Sequence, residues 1–357
     1  MRCRPGLRTN SLTVAGAALA ACLALRPGAG RAAAVALTET GSTLMLPLLQ
    51  SWADGYGRLS GVHLATAGTG SGAGIAAAED GTVQLGASDA YMSDMEVRAN
   101  PGILNIPLAI SAQVVAYNLA GLSASLRLSG PVLAGIYAGA IRDWSDPAIA
   151  ALNPGVALPQ HAIVPIRRAD ASGDTFLFTQ FLTFSTPQWE DGPGYGVTVA
   201  WPPAAGGLTA TGNAGMVQVL SQTPYGVAYV GASLEDALTH AGLGTAPLQN
   251  EAGRFVLPTP VAIEAAAAAL TPRTPADQRL TLAFAPGEDA YPLINYEYAV
   301  VRSQQPDPTR AATLRNFLLW SISPGQGTVA GYLDPVHFVA LPTAIRALSE
   351  LQIARIH

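Results

Sequence analysis

There is no lysine in this chain of 357 residues; all 19 basic residues are arginine. That absence excludes chemistry needing a side-chain primary amine: a P-loop lysine on nucleotide phosphates, a Schiff-base enzyme, a pyridoxal-phosphate site. Charge of either sign is scarce. Charged residues are 12% of the sequence, about half the usual share, and 24 acids outnumber the arginines to give a net charge of −5. The basic excess of a nucleic-acid binder is missing. So is the low hydrophobicity of a disordered chain, since 49% of residues are hydrophobic. Cysteine occurs only at Cys3 and Cys22. Beyond residue 34 no run approaches the roughly 18 apolar residues of a membrane span. What is present is length, enough for about two domains.

The first residues have the layout of an export signal: Arg2, Arg4 and Arg8, then an apolar stretch from Leu12 to Leu25 that is short for a bilayer. Two processing sites compete. Ala32-Ala33-Ala34 offers A-x-A cleavage ahead of Val35, whereas Leu19-Ala20-Ala21-Cys22 resembles a lipoprotein box whose cysteine is lipidated. The apolar run continues past Cys22 through Leu23-Ala24-Leu25, which favours the first. Removing residues 1–34 leaves 14 arginines against 24 acids, a net charge of −10, and no cysteine to brace the fold. Any anion site must then work against the global field by local geometry.

Strand-like runs alternate with helical ones, the α/β pattern. Strands are expected at 62–66, 83–87, 113–118, 227–230 and 296–301, and helices at 46–56, 131–140, 174–184, 311–321 and 343–353. Trp144, Trp189, Trp201 and Trp320 read as packing residues. Three glycine-hydroxyl turns stand ahead of helical patterns: Thr40-Gly41-Ser42-Thr43, Gly68-Thr69-Gly70-Ser71-Gly72-Ala73-Gly74 and Ala171-Ser172-Gly173-Asp174-Thr175. A helix start offers unpaired N–H groups and the positive end of the dipole, so it holds an anion without net positive charge. A single such turn is ordinarily just a cap; three in one chain raise the anion reading to parity with the capping one.

The second turn also fits the dinucleotide fingerprint, with Asp89 at the distance of a ribose-binding acid. The strand before it is short, however, and Asp89 sits in Gly86-Ala87-Ser88-Asp89-Ala90 rather than ending a buried strand. The five histidines are scattered, with no zinc pattern and no G-x-S-x-G elbow. The richest segment is Ile166–Phe176, which carries Arg168, Asp170, Ser172 and Asp174 around a glycine-turned helix start. A guanidinium fork binds tetrahedral oxyanions bidentately. The same residues also read as a surface Arg–Asp pair beside a helix cap, and the segment alone does not separate the two.

Taken in order, these segments resemble the PstS family, the extracytoplasmic phosphate-binding proteins of the high-affinity phosphate ABC transporter. The resemblance runs through Glu39–Thr43, Gly68–Gly74, Gly86–Ala90, Ile141–Trp144, Ala151–Gly155, Arg168–Phe176, Gly212–Met216, Gly226–Val230 and Tyr291–Tyr296. It implies an α/β, two-lobed, type II periplasmic-binding fold with the ligand in the interlobe cleft and two hinge crossings. Residues 35–111 plus 292–357 would form one lobe and 112–291 the other, after a signal segment at 1–34. It further implies a non-enzymatic monomer without cofactor or metal, outside the cytoplasmic membrane, that hands inorganic phosphate to an inner-membrane ABC permease and does not bind nucleic acid.

By matching motif, Thr43, the Leu44 amide and Ser71 would contact phosphate from the first lobe, with Ser42 and Gly70 supporting them. Arg168, Ser172 and the Gly173 amide would do so from the second, with Asp170 holding Arg168. Asp89 would accept a proton from the ligand. A carboxylate beside an anion repels it unless the anion brings a proton to share, so phosphate is taken and sulfate refused. Asp174 stands where many relatives have threonine. It either accepts a second ligand proton or turns away and offers only its N–H; the first is the expectation. The rival readings are an exported phosphatase or phosphoryl-transfer enzyme, for which neither metal ligands nor a nucleophile with its base is visible, and a binder of another oxyanion such as arsenate.

Overall fold

The computed structural model describes residues 36–122, 125–203 and 206–357. The export signal, its two cleavage alternatives and both cysteines lie outside the described residues.

The strands are β1 (Ala36–Gly41), β2 (His63–Ala65), β3 (Leu85–Ser88), β4 (Ile103–Tyr117), β5 (Val164–Arg168), β6 (Leu208–Ala210), β7 (Gly226–Gly231), β8 (Gly244–Thr245), β9 (Leu248–Gln249), β10 (Phe255–Val256) and β11 (Ile294–Arg302). Nine of those described join in one sheet, ordered β2-β1-β3-β11-β4-β7-β5-β6, with β8 also pairing β4; β9 and β10 form a separate hairpin. Helices connect the parallel pairs on both sides, as a parallel pair requires. The result is an α/β fold in two halves.

β4 joins them. Its fifteen residues are all buried, so no alternation of polar and apolar residues marks it in the sequence. Residues Ile103 to Ala112 pair with β11 and Gln113 to Tyr117 with β7, both antiparallel. The strand thus changes partner between Ala112 and Gln113. Outward from it, each half repeats one plan. On one side β11 is antiparallel to β3, and β3, β1 and β2 run parallel. On the other, β7, β5 and β6 run parallel. The expected strand over 113–118 proves to be only the second part of β4. Pro107 in the first part lies opposite Tyr298, where the register shifts between Glu297 and Tyr298, a bulge that accommodates the missing N–H.

The helices follow the sequence expectations closely: Leu46–Ser60, Gly173–Ser185, Pro308–Ile322 and Thr343–Ile353. The second glycine turn is shorter than it reads, because helix Ser71–Asp80 begins inside it. Trp144, Trp189 and Trp320 are buried, and Trp201 packs against that core with the Arg167 guanidinium 5.7 Å from its ring. None of the described helices is long and apolar enough to cross a membrane.

Candidate functional site

The three glycine-hydroxyl turns meet at the carboxyl ends of the parallel strands, the usual ligand position in open α/β sheets. After β1, the Ser42 hydroxyl accepts the N–H of Leu44 at 3.1 Å and of Met45 at 3.0 Å, turning the chain into helix Leu46–Ser60. After β2, Gly70 adopts φ 96°, left-handed backbone that only glycine takes at low cost. It leads directly into helix Ser71–Asp80. After β5, Ser172 caps helix Gly173–Ser185, accepting from Asp174 N–H at 3.0 Å and Thr175 N–H at 3.4 Å.

Asp89 lies just beyond β3 and is 2% exposed. Its carboxylate accepts from the Ser42 hydroxyl and, at 3.2 Å, from the Ser71 hydroxyl, which also accepts the Asp89 N–H. Burial and the nearby Asp174 charge push its pKa up to about 6.

Across from it, Arg168 ends β5 with its side chain buried. Its Nε donates to Asp170 Oδ1 at 2.8 Å and its Nη2 to Asp170 Oδ2, a bidentate pair; Nη1 donates to Asp174 Oδ2. The two carboxylates hold the guanidinium protonated and raise its pKa further. The fork also reaches across the halves, with Nη2 3.4 Å from Thr43 Oγ1. A second bridge comes from helix Gly212–Ser221, where Asn213 donates from N and Nδ2 to that hydroxyl, both at 3.1 Å. A third is Gly72 N–H to the Ala171 carbonyl at 3.1 Å. Gly173 packs so closely on the opposite half that a Cβ there would sit 2.5 Å from Asp89 Oδ2 and 2.6 Å from Ser71 Oγ.

All of the sequence-derived site residues therefore fall in one place. Thr43, Leu44, Ser71 and Asp89, with Ser42 and Gly70, line one wall; Arg168, Asp170, Ser172, Gly173 and Asp174 line the other. The Asp174 side chain is turned to the guanidinium, and its N–H donates to Ser172 Oγ at 3.0 Å. Its Oδ2 accepts from Arg168 and, at 2.7 Å, from Asn213 Nδ2, while Oδ1 accepts from Gln113 Nε2 at 3.0 Å. With donors on both oxygens, it is a partner of the guanidinium.

A PBP superfamily domain matches residues 27–324. The phosphate-binding protein PstS of Xylella fastidiosa (strain 9a5c) is 32% identical over 317 residues, 88% of this chain and 84% of that protein. The protein of the same name from Methanocaldococcus jannaschii is 31% identical over 82% of this chain and 79% of its own. The chain belongs to the PstS family. A crystal structure of a phosphate-binding protein from Stenotrophomonas maltophilia superposes on this PstS-family chain with a TM-score of 0.71 at 21% identity, covering 89% of this chain and 94% of that one. A periplasmic phosphate-binding protein solved with phosphate at pH 8.5 gives 0.70 at 21%, over 88% and 92%. Both show the two-lobed periplasmic-binding fold. The curated PstS relatives are binding proteins by name.

Four polar residues with no glycine-hydroxyl turn to mark them in the sequence complete this cluster. Gln113 and Asn213 hold Asp174; Tyr229 accepts the Arg168 N–H at 3.0 Å and pairs with Thr175 Oγ1 at 2.8 Å; Glu297 lies against Asp89. Glu297 had a visible signal, a lone acid in the apolar run Ile294–Val301. No group of three or more His, Cys, Asp or Glu that could hold a metal ion occurs among the described residues.

Proposed function

We propose that this protein binds inorganic phosphate outside the cytoplasmic membrane and delivers it to the permease of a phosphate ABC transporter, as an exported monomer with no catalytic role. The observation that carries the reading is the pairing, inside one PstS-family site, of a buried arginine on one half with a buried acid on the other. Arg168 supplies the fixed positive charge. Thr43, Ser71, Ser172 and the Gly173 amide supply donors, while the Leu44 N–H, expected to join them, is held by the Ser42 hydroxyl. With a pKa of about 6, Asp89 is a carboxylate at neutral pH and accepts the proton that phosphate still carries. Sulfate has no such proton, and two acceptors would face each other in a desolvated cleft.

Asp170 and Asp174 fix the orientation of the guanidinium, so the anion meets a preorganised fork. The lobes are residues 35–111 with 292–357, and 112–291. The two crossings lie near Ala112 in β4 and just ahead of β11, and closure about them buries the ligand. The leader at 1–34 takes the chain across the membrane.

Calorimetry of the chain beginning at Val35 tests this, titrating phosphate and then sulfate at pH 7.5. Phosphate should bind at least about 10⁴-fold more tightly than sulfate. Comparable affinities would overturn the role of Asp89, and no phosphate binding would overturn the function.

A further inference from the structure

Behind Asp89 lies a buried polar column that none of the ligand contacts uses. β11 runs antiparallel to β3 with Tyr298 opposite Ser88, so the next position along the ladder sets Glu297 against Asp89. The β11–β4 register shifts between Glu297 and Tyr298, and bulges of this kind re-aim side chains beside functional sites. Glu297 is fully buried. Its Oε1 accepts from the Ser111 hydroxyl and, at 3.2 Å, from Asn295 Nδ2. Asn295 also holds the Asp89 carbonyl at 2.7 Å. Glu297 Oε2 is fully buried and has no donor partner among the described residues. A bare carboxylate oxygen in that position is costly, whereas a carboxyl that carries a proton becomes a donor, and the acceptor beside it is Asp89.

We infer that Glu297 is a specificity-determining positioning residue, a neutral carboxylic acid that donates its proton to Asp89 and so keeps Asp89 an ionised acceptor for the ligand's own proton. This rests on the phosphate reading above. The charges facing Asp89 agree with it: Asp174 across the cleft, Arg168 beside Asp174, and Glu297 behind, with Ser42 and Ser71 as neutral donors. Burial and the Asp89 charge both push Glu297 well above the ordinary carboxyl range, and the hydrogen bond from Glu297 lowers Asp89 against the upward push of its own burial. Without that donor Asp89 would take up a proton near neutrality. It would then present O–H to the ligand, and a protonated acid accommodates sulfate as readily as phosphate. The proton-selective acceptor is thus a two-carboxyl unit, with the selecting group in front and its donor behind.

Glu297→Gln and Glu297→Leu test this, with phosphate and sulfate binding measured by calorimetry from pH 5 to 9 alongside wild type. Glutamine donates N–H from the same place, so its phosphate pH profile should overlay that of wild type and sulfate should stay rejected. Leucine removes the donor. The pH at which phosphate affinity reaches half its maximum should then move upward, and the phosphate-to-sulfate ratio at pH 7 should fall by about tenfold to a hundredfold, the worth of one hydrogen bond to a charged group. If Glu297 is instead ionised, Glu297→Gln removes a like charge and shifts the profile, which overturns the inference even if the leucine variant does not fold. A folded leucine variant with unchanged selectivity and profile overturns it equally. In both cases wild-type phosphate binding stands, whereas wild type without phosphate affinity would overturn the function itself.

Discussion

Two arginines in this molecule are each gripped by a pair of aspartates, and their surroundings make them different devices. Arg168 bonds to Asp170 and Asp174 with its side chain 1% exposed. Arg279 bonds to Asp277 through Nε and to Asp94 through Nη1, both at 2.8 Å, and to the Met92 carbonyl at 2.9 Å. Its partners are open to solvent, Asp94 at 74% and Asp277 at 48%. Bond count hardly separates the two. Water does: at Arg279 it reaches and screens both carboxylates, although the guanidinium is only 15% exposed, while around Arg168 each charge acts at nearly full strength and none can be left unpaired. Only the buried arrangement can hold an anion in a protein of net charge −5, because only there does local geometry outweigh the global field.

Substitution of the buried guanidinium should have the largest effect. Arg168→Ala leaves Asp170 and Asp174 without their cation. Phosphate binding by calorimetry should fall by about 10³-fold or more, and chemical unfolding should show a loss of about 3–5 kcal/mol. Retention of either would remove the basis for contrasting the two arginines.

A buried acid with no cation partner among the described residues sharpens the contrast. Glu39 on β1 is 3% exposed and, among the described residues, has only the Ala67 N–H, at 3.3 Å, as donor. Burial pushes its pKa from 4.5 up to about 8. The unfolded chain releases this proton near pH 4.5 while the folded protein keeps it until about 8. The contribution of Glu39 to stability is therefore full below pH 4.5 and lost progressively as pH rises to 8, the opposite of an acid held by arginine. Glu39→Gln should flatten this part of the stability curve and stabilise the protein above pH 8, on the order of a few kcal/mol. Parallel wild-type and variant curves from pH 5 to 9 would show that Glu39 is not held neutral.

The smallest change is expected at the exposed pair. Arg279→Ala should cost less than about 1 kcal/mol, diminish further in salt, and leave phosphate affinity unaltered. A larger cost would mean that this side chain, which ties Asp94 ahead of β4 to Asp277 beyond it, clamps the two halves together.

The sequence disclosed this site through its turns. Ser42, Ser71 and Ser172 sit in glycine-hydroxyl segments whose backbone roles follow from local geometry, and Arg168, Asp170 and Asp174 lie within seven residues of one another. What it concealed depends on pairing across distance. Glu297 meets Asp89 only through the antiparallel register of β11 on β3, and Gln113 and Asn213 converge on Asp174 from two elements far apart in the chain. Asp174 could be read as a proton acceptor because nothing local shows how many donors would reach it. The fold shows the same division. The helices fell where apolar runs and capping turns put them, the one expected over 131–140 ending early at Tyr137, whereas the first ten residues of β4, buried on both faces and interrupted by Pro107, carry no periodic mark.

β4 also acts as a ruler. Ser111 touches Glu297 and Gln113 touches Asp174, and these two residues are neighbours on one face of one strand, about 6.5–7 Å apart along it. The Asp89 end of the site and its Arg168 end are therefore spaced against a single pleat, at the point where that pleat passes from one half to the other. Whatever the separation of the walls, the spacing of the two reference marks is carried by covalent geometry. A one-residue insertion or deletion between residues 111 and 113 would turn one mark to the opposite face. Substitutions on either wall alter how tightly the site grips; a change in this short interval alters the length against which the site is measured.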